Sequence, residues 1–153
     1  MTLKVGADRT QRWSVFEVEV PPGFDVGAHL HREAEELFYL LDGELDLLAF
    51  EPRKRTSDDW RTWVSSEGVR VSRGGPGSLM YVPARCPHAF HNPGTKPTRM
   101  LFLCSPAGHE RYQQEMAQLL ARSGRPDPSE VAKLRLRFDI EQLTPMKPGA
   151  VTS

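Results

Sequence analysis

The chain has 153 residues, 39% of them hydrophobic and 26% charged, and its 20 basic residues balance 20 acidic ones. That is enough apolar material for one self-supporting core, so a bound metal would serve function rather than folding. Zero formal net charge with no basic stripe excludes a nucleic-acid-binding class, and no apolar run reaches transmembrane length, so neither nucleic acid nor membrane is expected as a partner. The polar segment 1–11 has no signal-peptide character, which predicts a cytoplasmic protein. Cys86 and Cys104 form no CxxC pattern and read as small buried side chains. The one basic cluster, Arg53-Lys54-Arg55, runs straight into Asp58-Asp59 and reads as a solvated loop.

In chain order, Val15 to Val20 alternates, with Phe16, Val18 and Val20 on one face, and predicts a half-buried strand ended by Pro21-Pro22-Gly23. Strands follow at Ala28 to His31 and Leu37 to Leu41, then Asp42-Gly43 as a two-residue hairpin signal, then a strand from Glu44 to Phe50. After the polar loop 51–59, Trp60 to Ser65 and Val69 to Ser72 are expected as strands about a Glu67-Gly68 turn. Gly74 to Gly77 is a turn. Ser78 to Val82, Ala89 to His91 and Arg99 to Cys104 complete an all-β pattern of short strands, the mark of a sandwich or barrel. Beyond Ser105 the period changes. Tyr112, Met116, Leu119 and Leu120 share one helix face, and Gly124 is expected to stop that helix. Asp127-Pro128-Ser129-Glu130 starts a second helix with Val131, Leu134 and Phe138 inward. Three parts are expected: a β-domain over 1–104, helices over 105–143 packed on its outer wall in preference to the other reading, a lid over its mouth, and a loose tail over 144–153.

Two constellations carry chemistry. His29 and His31 stand two apart on a strand and so point the same way, and Glu36 on the next strand can reach the same point. Gly23 and Gly43 flank this group at turns. Farther on, Gly77, Pro83, His88 and Asn92 frame a second group in which His88 follows a proline-rich turn and shares a face with Phe90 and Asn92. Three imidazoles and one carboxylate suit a single divalent transition metal (iron, manganese, nickel, cobalt, copper or zinc) and leave coordination positions open for a substrate. Glu35 also fits a looser spacing from His31, but only Glu36 keeps the spacing to Gly43. His91 is expected at the surface, His109 to act locally at its helix start, and Tyr81, Trp60 and Trp63 to serve as core or pocket wall.

These stretches resemble the two motifs of the cupin superfamily. The first, G(X)5HXH(X)3–4E(X)6G, is met by Gly23, His29, His31, Glu36 and Gly43. The second, G(X)5PXG(X)2H(X)3N, is met by Gly77, Pro83, His88 and Asn92, with Arg85 standing where the family has its middle glycine. The resemblance spans residues 23 to 92. It implies an antiparallel jelly-roll β-barrel with a short C-terminal helical extension, and a metal held by His29, His31, Glu36 and His88.

The layout is similar to bacterial single-domain cupins related to quercetin dioxygenase. That likeness implies an oxidoreductase acting on a small aromatic or enolisable substrate, with Glu36 as general base. Phe38, Leu40, Phe90 and Asn92 are expected to form the substrate pocket, with Phe16, Val18, Met100 and Phe102 as further wall candidates. No Arg or Lys takes an inward position in the motifs, which argues against a phosphorylated sugar. Two other readings stay open: a non-catalytic metal-dependent binder of a small molecule, and a cupin isomerase or decarboxylase. A homodimer through the outer strands is expected.

Overall fold

The computed structural model describes residues 1–123 and 127–149, so Gly124 and the end of the expected tail lie outside the described residues. Among the described residues ten strands form two five-stranded antiparallel sheets. The first sheet orders β1 (Thr2–Val5), β2 (Ser14–Val20), β9 (Thr98–Ser105), β4 (Glu35–Asp42) and β7 (Leu79–Val82). The second orders β10 (Glu141–Gln142), β3 (His29–Leu30), β8 (His88–His91), β5 (Leu45–Ala49) and β6 (Ser72–Gly74). Two helices follow the main β-domain, α1 (His109–Ser123) and α2 (Pro128–Arg137). This is the expected jelly roll, built as two facing sheets; among the described residues no strand pair joins them. None of the helices is long and apolar enough to cross a membrane.

Strict alternation positions the core. On β2, Phe16, Val18 and Val20 are buried and pack with Phe38 and Leu40 of β4, Met100 and Phe102 of β9, and Leu45 and Leu47 of the opposite sheet. Asp42-Gly43 does not make a hairpin, because β4 and β5 belong to different sheets. It is the corner where the chain crosses between them. Gly43 has φ +77°, and a Cβ there would stand 2.4 Å from Thr98 Oγ1, so only glycine fits.

The stretch expected as a strand from Trp60 to Ser65 opens instead as a short 3-10 helix, Trp60–Thr62, capped by the Asp59 carboxylate on the Arg61 N–H. Both tryptophans turn inward against Leu48 and Ala89, on the outer face of the second sheet. Tyr81, by contrast, is half exposed on the outer face of the first sheet. At the N-terminus, the polar segment 1–11, for which no element was expected, contributes β1, paired to β2.

The tail is not loose over its described part. Leu143 N–H donates to Ala28 C=O, Thr144 is buried, and Lys147 exchanges two backbone hydrogen bonds with Asp25. Pairing beside β3 supplies these backbone groups with partners they would otherwise lack.

Arg85, standing in for the family's glycine, adopts φ +69° with an exposed side chain. A left-handed backbone costs an L-residue about 1–2 kcal/mol, and glycine's extra freedom in the unfolded chain returns about 0.4–1 kcal/mol of that. Arg85→Gly is therefore expected to stabilise the protein by roughly 0.5–1 kcal/mol in urea unfolding. A loss of stability would show that Arg85 makes a compensating contact.

Candidate metal centre and cavity

The two sheets meet at four side chains. His29 of β3 and His88 of β8 stand directly opposite in the second sheet, their ring centroids 4.1 Å apart. Glu36 enters from the first sheet, where β4 lies between β7 and β9. His31 lies just past β3, its ring 5.4 Å from that of His29 and 5.2 Å from that of His88. One candidate ligand atom from each of the four lies within 4.8 Å of all the others, and all four residues are buried. Glu35, the competing carboxylate, is only partly buried and does not join this group.

Each imidazole is oriented from behind by a backbone carbonyl. His29 Nδ1 donates to Gly27 C=O at 2.9 Å, His31 Nδ1 to Asp139 C=O at 2.9 Å, and His88 Nδ1 to Cys86 C=O at 3.1 Å. A carbonyl only accepts, so the proton is assigned to Nδ1 and the Nε2 lone pair faces the common point. His31 Nε2 lies 3.1 Å and His88 Nε2 2.9 Å from the Glu36 oxygens, yet neither nitrogen has a hydrogen-bond partner there. Buried lone pairs set against a carboxylate repel one another unless a cation or proton lies between them. The donor set therefore fits a divalent transition metal.

The electrostatics agree. Burial, reinforced by the neighbouring His88 and His31, holds the His29 imidazole well below its ordinary value, so it is neutral at pH 7. Burial also acts to lower His31, but the Glu36 carboxylate outweighs it and raises that imidazole. Burial opposes ionisation of Glu36, yet His31 and His88 keep its carboxyl well below the usual range.

Above the cluster lies a cavity of about 560 Å³, lined by His29, His31 and Glu36 at its base. Phe38 and Phe90 line it as expected. Phe38 stacks on Phe102 at 5.0 Å, and Phe16, outside the lining, stacks behind Phe102 at 5.6 Å. Of the other wall candidates, Val18, Met100 and Phe102 also line the cavity. Two expected pocket residues do not. Leu40 has the right parity but is wholly buried in the packed core. Asn92 is a structural tie: its Nδ2 donates to Val20 C=O and Lys96 C=O, and its Oδ1 accepts from Gly94 N–H.

The helices do not pack on the outer wall. They roof the cavity, to which α1 contributes His109, Tyr112, Gln113 and Met116, and α2 contributes Val131 and Arg135. Leu120, expected on the buried face of α1, is 45% exposed, though it touches the cavity edge. The roof is tied down by Asp139, whose carboxylate accepts from the N–H groups of Arg32, Glu33 and Ala34.

His109, expected to act locally, instead reaches into the cavity. One of its ring nitrogens, Cys104 Sγ and a Glu36 oxygen lie within 4.8 Å of one another. Its ring meets Phe102 edge-on at 5.1 Å. Burial raises the thiols of both Cys86 and Cys104, so neither is a thiolate at neutral pH. His91 is half-buried rather than exposed, between Asp46 and Arg61.

The class defined here is a two-sheet jelly roll with three buried histidines and a glutamate between its sheets, a donor set that could hold a metal ion. The chain belongs to the cupin family, whose profile, described as "Cupin", matches residues 3–142. A comparison with curated proteins found no match. Among solved structures the chain is similar to the TT1209 protein of Thermus thermophilus, with 19% identity and TM-score 0.50 over 69% of this chain and 84% of that one. It is also similar to KdgF from Halomonas sp., with 14% identity and TM-score 0.53 over 72% and 80%. A conserved protein with a double-stranded β-helix domain from Klebsiella pneumoniae subsp. pneumoniae aligns at 15% identity and TM-score 0.51 over 69% and 75%. At these identities the likeness is one of fold.

Proposed function

We propose that this cupin is a metal-dependent enzyme, an oxidoreductase of the quercetin dioxygenase-like type acting on a small aromatic or enolisable substrate. The observation that carries the reading is the buried three-histidine, one-glutamate cluster at the base of an apolar-walled 560 Å³ cavity. A volume of this order is typical of a small-molecule pocket. His29, His31, Glu36 and His88 would hold one divalent metal ion, which when bound supplies Lewis-acid and redox chemistry at its open positions.

The chain's own residues do the rest. Phe38, Phe90 and Phe102 present ring faces and edges that orient a flat substrate and keep water out. Glu36, ionised and within reach of the cavity, accepts the acidic proton of an enolisable substrate.

The test is oxygen uptake by metal-loaded protein given quercetin or phenylpyruvate, two enolisable aromatic probes. Uptake by wild type is expected, with a fall of at least about 100-fold in Glu36→Gln, the usual scale for losing a general base. A probe bound but recovered unchanged would make the protein a binder. A product formed without oxygen uptake would make it an isomerase or decarboxylase. Undiminished activity in Glu36→Gln would remove Glu36 from its role.

A further inference from the structure

Arg135 is a cation without a counterion. It lies on α2, between Val131 and Phe138 on the face that turns towards the β-domain, and is 7% exposed. Among the described residues its side chain makes no hydrogen bond and no ion pair, and its Nε is buried without a partner. A guanidinium does not lose its proton in a protein, so it cannot escape this cost by becoming neutral. Burial presses its pKa down, and among the described residues Tyr112 acts against that. Folding alone would select a leucine or methionine here.

The surroundings say what the charge is for. Arg135 lines the same cavity whose base is the His29–His31–Glu36 cluster. Tyr112, also in the lining, is buried and its hydroxyl has no hydrogen-bond partner among the described residues. The rest of the roof mixes the apolar Met116, Val131 and Ile140 with the uncharged polar Gln113 and with His109, whose pKa burial lowers. A planar fork of donors in an apolar chamber matches a carboxylate, which takes two parallel N–H bonds from one guanidinium. One positive charge balances one negative charge; a phosphate dianion would leave a second charge unpaired in the same apolar wall.

We infer that Arg135 binds the carboxylate of the substrate, so that the molecule taken by this cavity is an apolar organic monoacid lying between the roof helix and the metal-ligand cluster. The inference rests on the proposed function for the location of the reacting end; Arg135 lies on α2, outside the two motifs in which no Arg or Lys takes an inward position. Arg135 is a substrate-binding residue here, with no part in bond making.

The experiment is binding of 3-phenylpropionate and of its neutral isostere 3-phenylpropionamide, followed by calorimetry. Both are measured on protein stripped with a chelator and on protein loaded with metal, with metal content determined separately. Stripping prevents the carboxylate from reporting a metal bond instead of Arg135. The expected result on stripped wild type is that the acid binds about 10- to 100-fold more tightly than the amide, the scale of a charge-assisted hydrogen bond. Arg135→Met should abolish that preference, and Arg135→Lys should keep part of it. Arg135→Met should also melt a few degrees higher than wild type, because it removes a buried unpaired charge. A melting point at or above that of wild type rules out misfolding as the cause of lost binding.

Equal affinity for acid and amide in stripped wild type, or an acid preference that survives in Arg135→Met, would overturn the inference. Those results leave metal content untouched and so do not bear on the metal reading. Conversely, an Arg135-dependent acid preference in protein that takes up no metal would uphold the inference while removing the metal reading.

Discussion

Purified wild-type protein is expected to carry about one equivalent of a transition metal, and His88→Ala to carry almost none, by elemental mass spectrometry. His88 is wholly buried, with the Cys86 carbonyl behind it, Glu36 in front and the His29 and His31 rings beside it. Truncating it leaves three donors and a void where a fourth belonged. Loss of an outer partner alone typically costs 10- to 100-fold in metal affinity, and loss of the ligand itself should cost more. His91→Ala is the control: His91 pairs with Asp46 and Arg61 away from the cluster and should leave the metal in place.

Loading should also depend on pH with a definite sign. Ligand imidazoles must be unprotonated to bind, so affinity rises as pH rises. His29, held low, is ready at pH 7, whereas His31, raised by Glu36, becomes available at a higher pH than His29. Metal uptake near neutrality should therefore release protons, which a pH indicator in weak buffer would record. Metal retained at full stoichiometry in His88→Ala would take His88 out of the site.

The second large effect concerns stability. Trp60→Ala should destabilise the fold by about 3–5 kcal/mol, out of a total of roughly 5–15 kcal/mol for a domain of this kind. Trp60 is 1% exposed, packs on Leu48 and Ala89, and donates from Nε1 to Asp25 Oδ1 at 2.8 Å. Asp25 is itself buried and accepts from Gly27 N–H two residues before His29. At roughly 2–4 °C per kcal/mol the melting point should fall by about 10 °C. Trp60→Phe keeps most of the apolar contact and loses the hydrogen bond, so it should cost less, about 1.5–3 kcal/mol. A fall of under about 3 °C for Trp60→Ala would show that the 51–71 segment melts apart from the sheets.

The buried His/Glu cluster was legible because it is local: strand parity aims His29 and His31 together, and the turn spacing singles out Glu36 over Glu35. Parity determines the face but not the depth along a strand. That is why Leu40, in register with Phe38, proved to be packed core. Asn92 shares a face with His88 but sits at the strand end, where an amide serves the turn better than the cavity. The Trp60 segment misled because its apolar residues meet the outside of a sheet, which no periodicity reports. The helices showed an apolar stripe, but a stripe does not say which surface it covers, so roof and outer wall were indistinguishable. Arg135 sits within the α2 stripe of Val131, Leu134 and Phe138. A basic residue in an apolar stripe was the one local sign of it.

Asp139 holds two things at once. Its carbonyl orients His31, and its carboxylate gathers the backbone of residues 32–34, while its own φ of +60° belongs to the turn that ends α2. Arg135 stands one helical turn earlier on the same segment. An occupant that locks His31 from below therefore also locks the end of α2, and an anion that draws in Arg135 from above steadies the same joint. Whatever coupling passes through this joint acts equally in both directions, since linkage is reciprocal.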